Sequence, residues 1–266
     1  MSHIPIKQTP KTYIFVDGSY FCFHRFHSTL NLWKTSHPEN PILENPIENE
    51  EFVEKFKNNF IKTFQNIPLN LGLCESIDNP IMFVGRDCKR KDIWRMSILN
   101  EYKGTRNKKH SIGVGDFFKL VYEEKLFEVG GAKDIFAHPK LEADDCIALC
   151  VNYLLEKDDR NNDINGEKGC RIFIITSDKD YLQLAEPRVK IFDLSFKNLE
   201  DQKSSFGDAK ANLFCKIVMG DISDNIKSVL KKCGPKTVKK YFLNKELFEE
   251  ALKNEQAYDR YEQNKT

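Results

Sequence analysis

The sequence predicts an α/β fold with a mostly parallel central sheet and helices on both faces. Two observations carry that expectation. Four short apolar runs, at 13–16, 81–84, 135–137 and 172–175, read as strands buried on both sides. Helical stretches lie between and after them, at 50–65, 115–127, 142–155 and 181–184, and strands alternating with helices build parallel sheets.

Taken in order, the first run leads straight into Asp17-Gly18-Ser19. The segment 35–49 is rich in Pro, Asn and Glu and reads as a surface insertion. The second run leads into Gly85-Arg86-Asp87, and the third is followed by Leu141-Glu142-Ala143-Asp144-Asp145 at the start of a helix. A polar stretch at 157–169 reads as a loop. The fourth run leads into Thr176-Ser177-Asp178-Lys179-Asp180, and 189–192 is a weaker fifth strand. An amphipathic helix is expected over 243–253, and no internal repeat is visible.

A chain of 266 residues holds one large α/β domain or a core with a smaller module. Its net charge of +1 says nothing about partners, so any nucleic-acid signal must be local. The eight cysteines are scattered without a C-x-x-C pair, which reads as free thiols in a reducing compartment and not as a zinc site. No apolar leader or membrane-length run is present, so a soluble, intracellular protein is expected.

Two basic blocks break the neutrality. Residues 86–109 carry nine basic side chains against three acids, and 227–240 carry six lysines and no acid. A solvated helix face usually mixes signs. Both blocks adjoin acidic clusters, a juxtaposition that favours phosphate binding.

Each acid has an ordinary explanation when taken singly. Asp17-Gly18 could be a turn, and Asp144 or Asp145 could be acids favoured by a helix N-terminus. Together they strain that account, because ligands in open parallel sheets bind at the carboxyl ends of the strands. Glu142 and Asp145 share a helical face, Asp178 and Asp180 can enter one cleft, and Asp221 and Asp224 form a last pair. Carboxylates gathered at one sheet edge repel unless cations separate them. An all-oxygen ligand set suits Mg²⁺ or Mn²⁺.

These pieces resemble the structure-specific 5′ nucleases: flap endonucleases, phage-type 5′–3′ exonucleases and phage ribonuclease H. The matching segments occur in family order. They are Val16-Asp17-Gly18, then Asp87 with Arg95 and Glu101-Tyr102-Lys103-Gly104-Thr105-Arg106, then Glu142-Ala143-Asp144-Asp145, Ser177-Asp178-Lys179-Asp180, and Gly220-Asp221-x-x-Asp224-Asn225 running to Gly234-Pro235-Lys236-Thr237. The resemblance implies a PIN-like nuclease core over 12–200 with a helical arch at about 86–127. It also implies a C-terminal DNA-binding region over 201–266, with a helix–three-turn–helix at about 216–242.

The roles it implies are specific. Asp17, Asp87, Glu142, Asp144 and Asp145 would hold or orient one of two divalent ions. Asp178 and Asp180 would lie between the ions, and Asp221 and Asp224 would serve the second. Lys103 and Arg106 would project from the arch over the cut site, with Arg25 and Arg95 on the DNA path. Lys231, Lys232, Gly234, Lys236 and Thr237 would grip duplex phosphates, with a K⁺ ion at the turn as in the family. Here the chain departs from the pattern: Val229-Leu230-Lys231-Lys232-Cys233-Gly234-Pro235 stands where the family reads V-x-G-I-G-P, one glycine fewer.

The implied function is metal-dependent hydrolysis of branched or 5′-ended DNA, extending to RNA–DNA hybrids, by a monomer in replication or repair. Two alternatives stay open: a catalytically silent junction binder, and a ribonuclease domain acting without the duplex module. Replication partners are not legible, and only the E-Y-K-G-x-R segment points toward a phage or virus.

Overall fold

The computed structural model describes residues 10–104, 113–165, 169–202 and 205–265. Five strands form one sheet: β1 (Thr12–Asp17), β2 (Ile81–Arg86), β3 (Asp134–Ala137), β4 (Arg171–Ile175) and β5 (Val189–Phe192). All neighbouring pairs are parallel and the order is β3-β2-β1-β4-β5. The chain steps outward from β1 through β2 to β3, then returns to the other side of β1 with β4 and β5. The switch point therefore falls between β1 and β4, where open α/β sheets bind their ligands.

Alternation along the strands feeds two cores. On one side Ile14, Val16, Met82 and Val84 pack against α1 (Gly18–Ser36), α2 (Glu50–Gln65) and α5 (Val114–Glu123). Phe52, Phe56, Phe60 and Phe64 recur every four residues along α2 and are fully buried, interlocking with Phe21, Phe26, Phe117 and Phe127. That spacing puts one aromatic per turn on a single face. On the other side Phe15, Ile172, Ile174 and Ile191 pack against α7 (Ala143–Asn165) and a 3₁₀ turn, Lys179–Leu184. The short helices α3 (Ile67–Asn70) and α6 (Leu126–Val129) complete the core, while α4 (Glu75–Asp78) lies outside it with no buried residue.

A third cluster belongs to the C-terminal helices α8 (Ala209–Met219), α9 (Pro235–Leu243), α10 (Lys245–Asn254) and α11 (Tyr258–Lys265). Cys215, Val218, Val229, Val238, Phe248 and Leu252 form its centre.

Two expectations need correction, and two helices were not anticipated. Helix α1 was not anticipated; Asp17 caps it by accepting from Tyr20 N, and Cys22, Phe26, Thr29 and Trp33 form its buried stripe. The stretch 157–169 is not wholly a loop, because α7 runs on to Asn165. The helix expected over 115–127 is two, broken where Lys125 takes φ +55° between α5 and α6. The last residues are helical as well, as α11. Between β2 and α5 the described segment holds 3₁₀ turns at Arg90–Asp92 and Trp94–Ser97. Arg106, expected on the arch, lies outside the described residues.

Candidate active site

Parallel register levels the strand ends. Asp17 stands opposite Gly85, and Val16 pairs with Ile175, so Thr176 comes level with Asp17. The close approach of α1 to β2 requires glycine at 18, where a Cβ would lie 2.7 Å from the Gly85 carbonyl oxygen. Asp17 Oδ1 accepts from Tyr20 N at 3.0 Å, and its Oδ2 faces the Thr176 hydroxyl at 3.3 Å. Burial pushes its pKa up to about 7, and the carboxylates of Asp87, Asp178 and Asp144 push the same way. Asp87 links β2 to the start of α7: its Oδ1 accepts from Ala143 N at 2.7 Å and its Oδ2 from Ser19 Oγ.

The α7 acids divide as helical geometry requires, about 100° apart per residue. Asp145 receives a two-pronged contact from Arg95, at 2.9 and 2.7 Å, and the Trp94 indole N–H at 3.1 Å. Glu142 is buried and accepts from Arg95 at 3.2 Å, Tyr102 OH at 3.1 Å and Lys103 Nζ. Asp144 points elsewhere; burial raises its pKa to about 7, with Asp145 and Glu142 adding and Arg95 opposing.

Beyond β4, Asp178 Oδ1 accepts from Asp180 N at 2.9 Å and so starts the 3₁₀ turn. Asp180 pairs with Lys216 Nζ, which also reaches Asp221 at 2.9 Å. Burial and Asp178 raise the Asp180 pKa despite that lysine. Burial works against the Lys216 charge, yet the two carboxylates hold its pKa above the ordinary lysine value. Asp221 is opposed by burial but drawn down to about 2 by hydrogen bonds from Ser223 and Lys216. Asp224 is buried with its Oδ2 3.2 Å from Tyr102 OH, whose one proton lies between it and Glu142. Asp180, Asp221 and Asp224 each offer an oxygen within 4.8 Å of the others, the one such grouping of potential metal ligands among the described residues. A cleft of about 390 Å³ is lined by Arg95, Tyr102, Asp144, Asp180, Lys216, Asp221 and Asp224.

Strand ends, the α7 N-terminus and the Gly220–Asn225 turn thus bring the predicted acids to one edge. Arg95 and Lys103 lie against those acids; both were expected to face DNA. Arg25 instead faces α2, donating to Thr63 Oγ1 at 2.7 Å, because burial of its half-enclosed guanidinium demands an acceptor. Lys231, Lys232, Gly234 and Lys236 are exposed and Thr237 is half-buried, around the N-terminus of α9. Lys232 takes φ +51°, the left-handed conformation a glycine would adopt freely.

Sequence reasoning gave no role to Lys216, Tyr102, Trp94, Ser19 or Thr176. The signal for Tyr102 was its place beside Lys103 within the matching segment. Lys216 carried only the ordinary mark of a basic residue in a last helical turn.

The family of the 5′–3′ exonuclease N-terminal, resolvase-like domain matches residues 12–212. The chain belongs to that family. It is 27% identical over 236 residues to a 5′–3′ exonuclease of Buchnera aphidicola (subsp. Schizaphis graminum), spanning 85% of this chain and 68% of the relative. It is 32% identical over 152 residues to a ribonuclease H of Enterobacteria phage T4, spanning 54% of this chain and 44% of that protein. Its fold is similar to the bacteriophage T5 D15 flap endonuclease, solved as a variant in a pseudo-enzyme–product complex with DNA and metal ions. The TM-score is 0.63 at 18% identity, covering 96% of this chain and 87% of the T5 chain. T5 5′-exonuclease with bound zinc gives a TM-score of 0.58 at 19% identity, covering 88% and 75% of the two chains.

Proposed function

We propose that this 5′ nuclease hydrolyses phosphodiesters near the 5′ ends of branched DNA, using two Mg²⁺ or Mn²⁺ ions, in replication or repair. The observation that carries the reading is the convergence of acids from separate chain segments at one sheet edge, where cationic side chains balance them. The donor set fits a hard divalent cation: it is all carboxylate, and two of its members have pKa values raised to about 7. Asp17, Asp87, Glu142, Asp144 and Asp145 would serve one ion, Asp221 and Asp224 the other, with Asp178 and Asp180 between. When bound, such ions activate water and stabilise the leaving oxygen.

The chain's own part is positioning and charge. Lys103 and Arg95 would neutralise the scissile phosphate once substrate draws them from the acids, and Arg106 would join them there. Lys231, Lys232 and Lys236 would hold duplex phosphates at the N-terminus of α9, where the helix dipole also favours negative charge, with Gly234 and Thr237 shaping the turn. With one glycine fewer than the family pattern, lysines rather than a K⁺ ion carry that grip. Contacts of this kind read structure and little sequence.

The test is a cleavage panel at fixed salt with 5′-flap, nicked, blunt, single-stranded and RNA-primed oligonucleotides. Cutting of the flap in Mg²⁺ but not in EDTA is expected. Cutting in EDTA, or none in either metal, overturns the reading. The RNA-primed arm is included because a ribonuclease H is among the relatives.

A further inference from the structure

The turn that presents Asp221 and Asp224 has two limbs, the end of α8 and the segment from Ile226 to Ser228. Backbone bonds between Asp221 and Ile226, at 2.9 and 2.7 Å, close its tip. Gly220, at φ +69°, lets the limbs touch; a Cβ there would stand 2.5 Å from the Ile226 carbonyl oxygen. Below the tip, one side chain from α11 joins both limbs. Asn264 Nδ2 donates to Ile217 O on the first limb and Lys227 O on the second, both at 2.9 Å. Arg260 Nη1 reaches Ser228 O and Val229 O, both at 3.4 Å.

These bonds are not the whole of the helix's attachment. Tyr261 packs edge-on against Phe248 with ring centroids 5.1 Å apart, and Ala257 is buried in the C-terminal core. The Asn264 amide therefore ties the two limbs of the turn to each other as well as to the helix. The turn's acids must meet Asp180, which sits on a different element, after β4. The spacing of the three oxygens consequently depends on how the two limbs are held.

We propose that Asn264, backed by Arg260, is a positioning residue that sets Asp221 and Asp224 for the second divalent ion. The inference rests on the reading that Asp180, Asp221 and Asp224 bind such an ion. Groups that orient metal ligands from behind commonly change affinity by roughly tenfold or more when removed.

The experiment is a Mn²⁺ titration of the full chain by calorimetry, with no substrate present. Asn264→Ala is expected to weaken the second of two binding steps about tenfold and to leave the first within about twofold. Arg260→Ala is expected to weaken the same step by a smaller factor, and Asp259→Asn, exposed on the same helix and away from the cleft, to change neither. Equal weakening of both steps, or no change in either, overturns the proposal. Asp221→Asn separates the two layers of the argument. Loss of the second step in that variant supports the ion site; retention of both steps removes the site reading itself, whatever Asn264 does. Thermal unfolding in EDTA accompanies each titration, and a cooperative transition in Asn264→Ala like that of the parent confirms that the helix remains docked.

Discussion

Asp178 has two separable duties, and an asparagine can perform only one of them. Its Oδ1 accepts from Asp180 N and starts the 3₁₀ turn, a bond that an amide oxygen also makes. Its charge, beside Asp17 and Asp180, is what an ion would need. Asp178→Asn is therefore expected to fold with less than about 1 kcal/mol lost, to bind a 5′-flap substrate, and to cut it at least roughly a hundredfold more slowly. A flap-binding assay in EDTA beside single-turnover cutting in Mg²⁺ reads both; undiminished cutting would remove the metal argument. The acids from Asp17 to Asp180 were legible in the sequence because each follows an apolar run or opens a helix, and a parallel sheet sends all such ends to one edge; Asp221 and Asp224 were legible through the Gly-Asp-x-x-Asp-Asn segment. The cations were legible only as blocks. Nothing in the order of residues reveals that Arg95 would grip Asp145 or that Lys216 would sit between Asp180 and Asp221, since those pairings depend on how separate segments pack.

At the scale of elements, the α8–α9 unit makes the clearest demand. The turn from Val229 to Gly234 has one glycine fewer than the pattern the sequence resembles, and Lys232 takes the left-handed conformation. Its backbone is tied down elsewhere, with Lys231 N donating to Glu255 at 2.8 Å. If Lys231, Lys232 and Lys236 each neutralise one phosphate, replacing all three with alanine should flatten the salt dependence of duplex binding by about three units of log–log slope. Fluorescence anisotropy across a salt series measures it, and an unchanged slope would move the duplex grip to another surface. Strand periods were readable because five short apolar runs have few other uses. Helix α1 was missed although Asp17 could cap it and Cys22, Phe26, Thr29 and Trp33 recur at helical spacing. Histidines, serines and threonines interleave that stripe and dilute the contrast between its faces. The polar run after Leu155 reads as loop for the same reason: the end of α7 has few apolar residues to reveal its period.

The whole molecule stores charge repulsion at one sheet edge, so its stability should depend on pH and, if the acids hold divalent ions as proposed, on those ions as well. Asp17 and Asp144 have folded-state pKa values raised to about 7 from 3.8. A raised carboxylate stabilises the fold fully below its unfolded pKa, and that contribution is lost as pH rises through about 7. Asp221, lowered to about 2, acts in the opposite sense, and only as pH falls below the ordinary carboxylate range. His24 and His27 are both lowered by burial, so their contribution grows as pH rises toward the ordinary histidine value, is complete above it, and partly masks the acids. The discriminating quantity is thus not the unfolding temperature in EDTA but the increment that Mg²⁺ adds to it. An ion that binds the folded state stabilises by mass action, and it competes with protons for the same oxygens. The histidine contribution is common to both arms and cancels. Thermal melts at pH 5 and pH 8, with and without Mg²⁺, should therefore show an increment that is small at pH 5 and several degrees larger at pH 8. An equal increment at the two pH values would mean that Mg²⁺ stabilises the chain somewhere other than among Asp17, Asp144 and their neighbours.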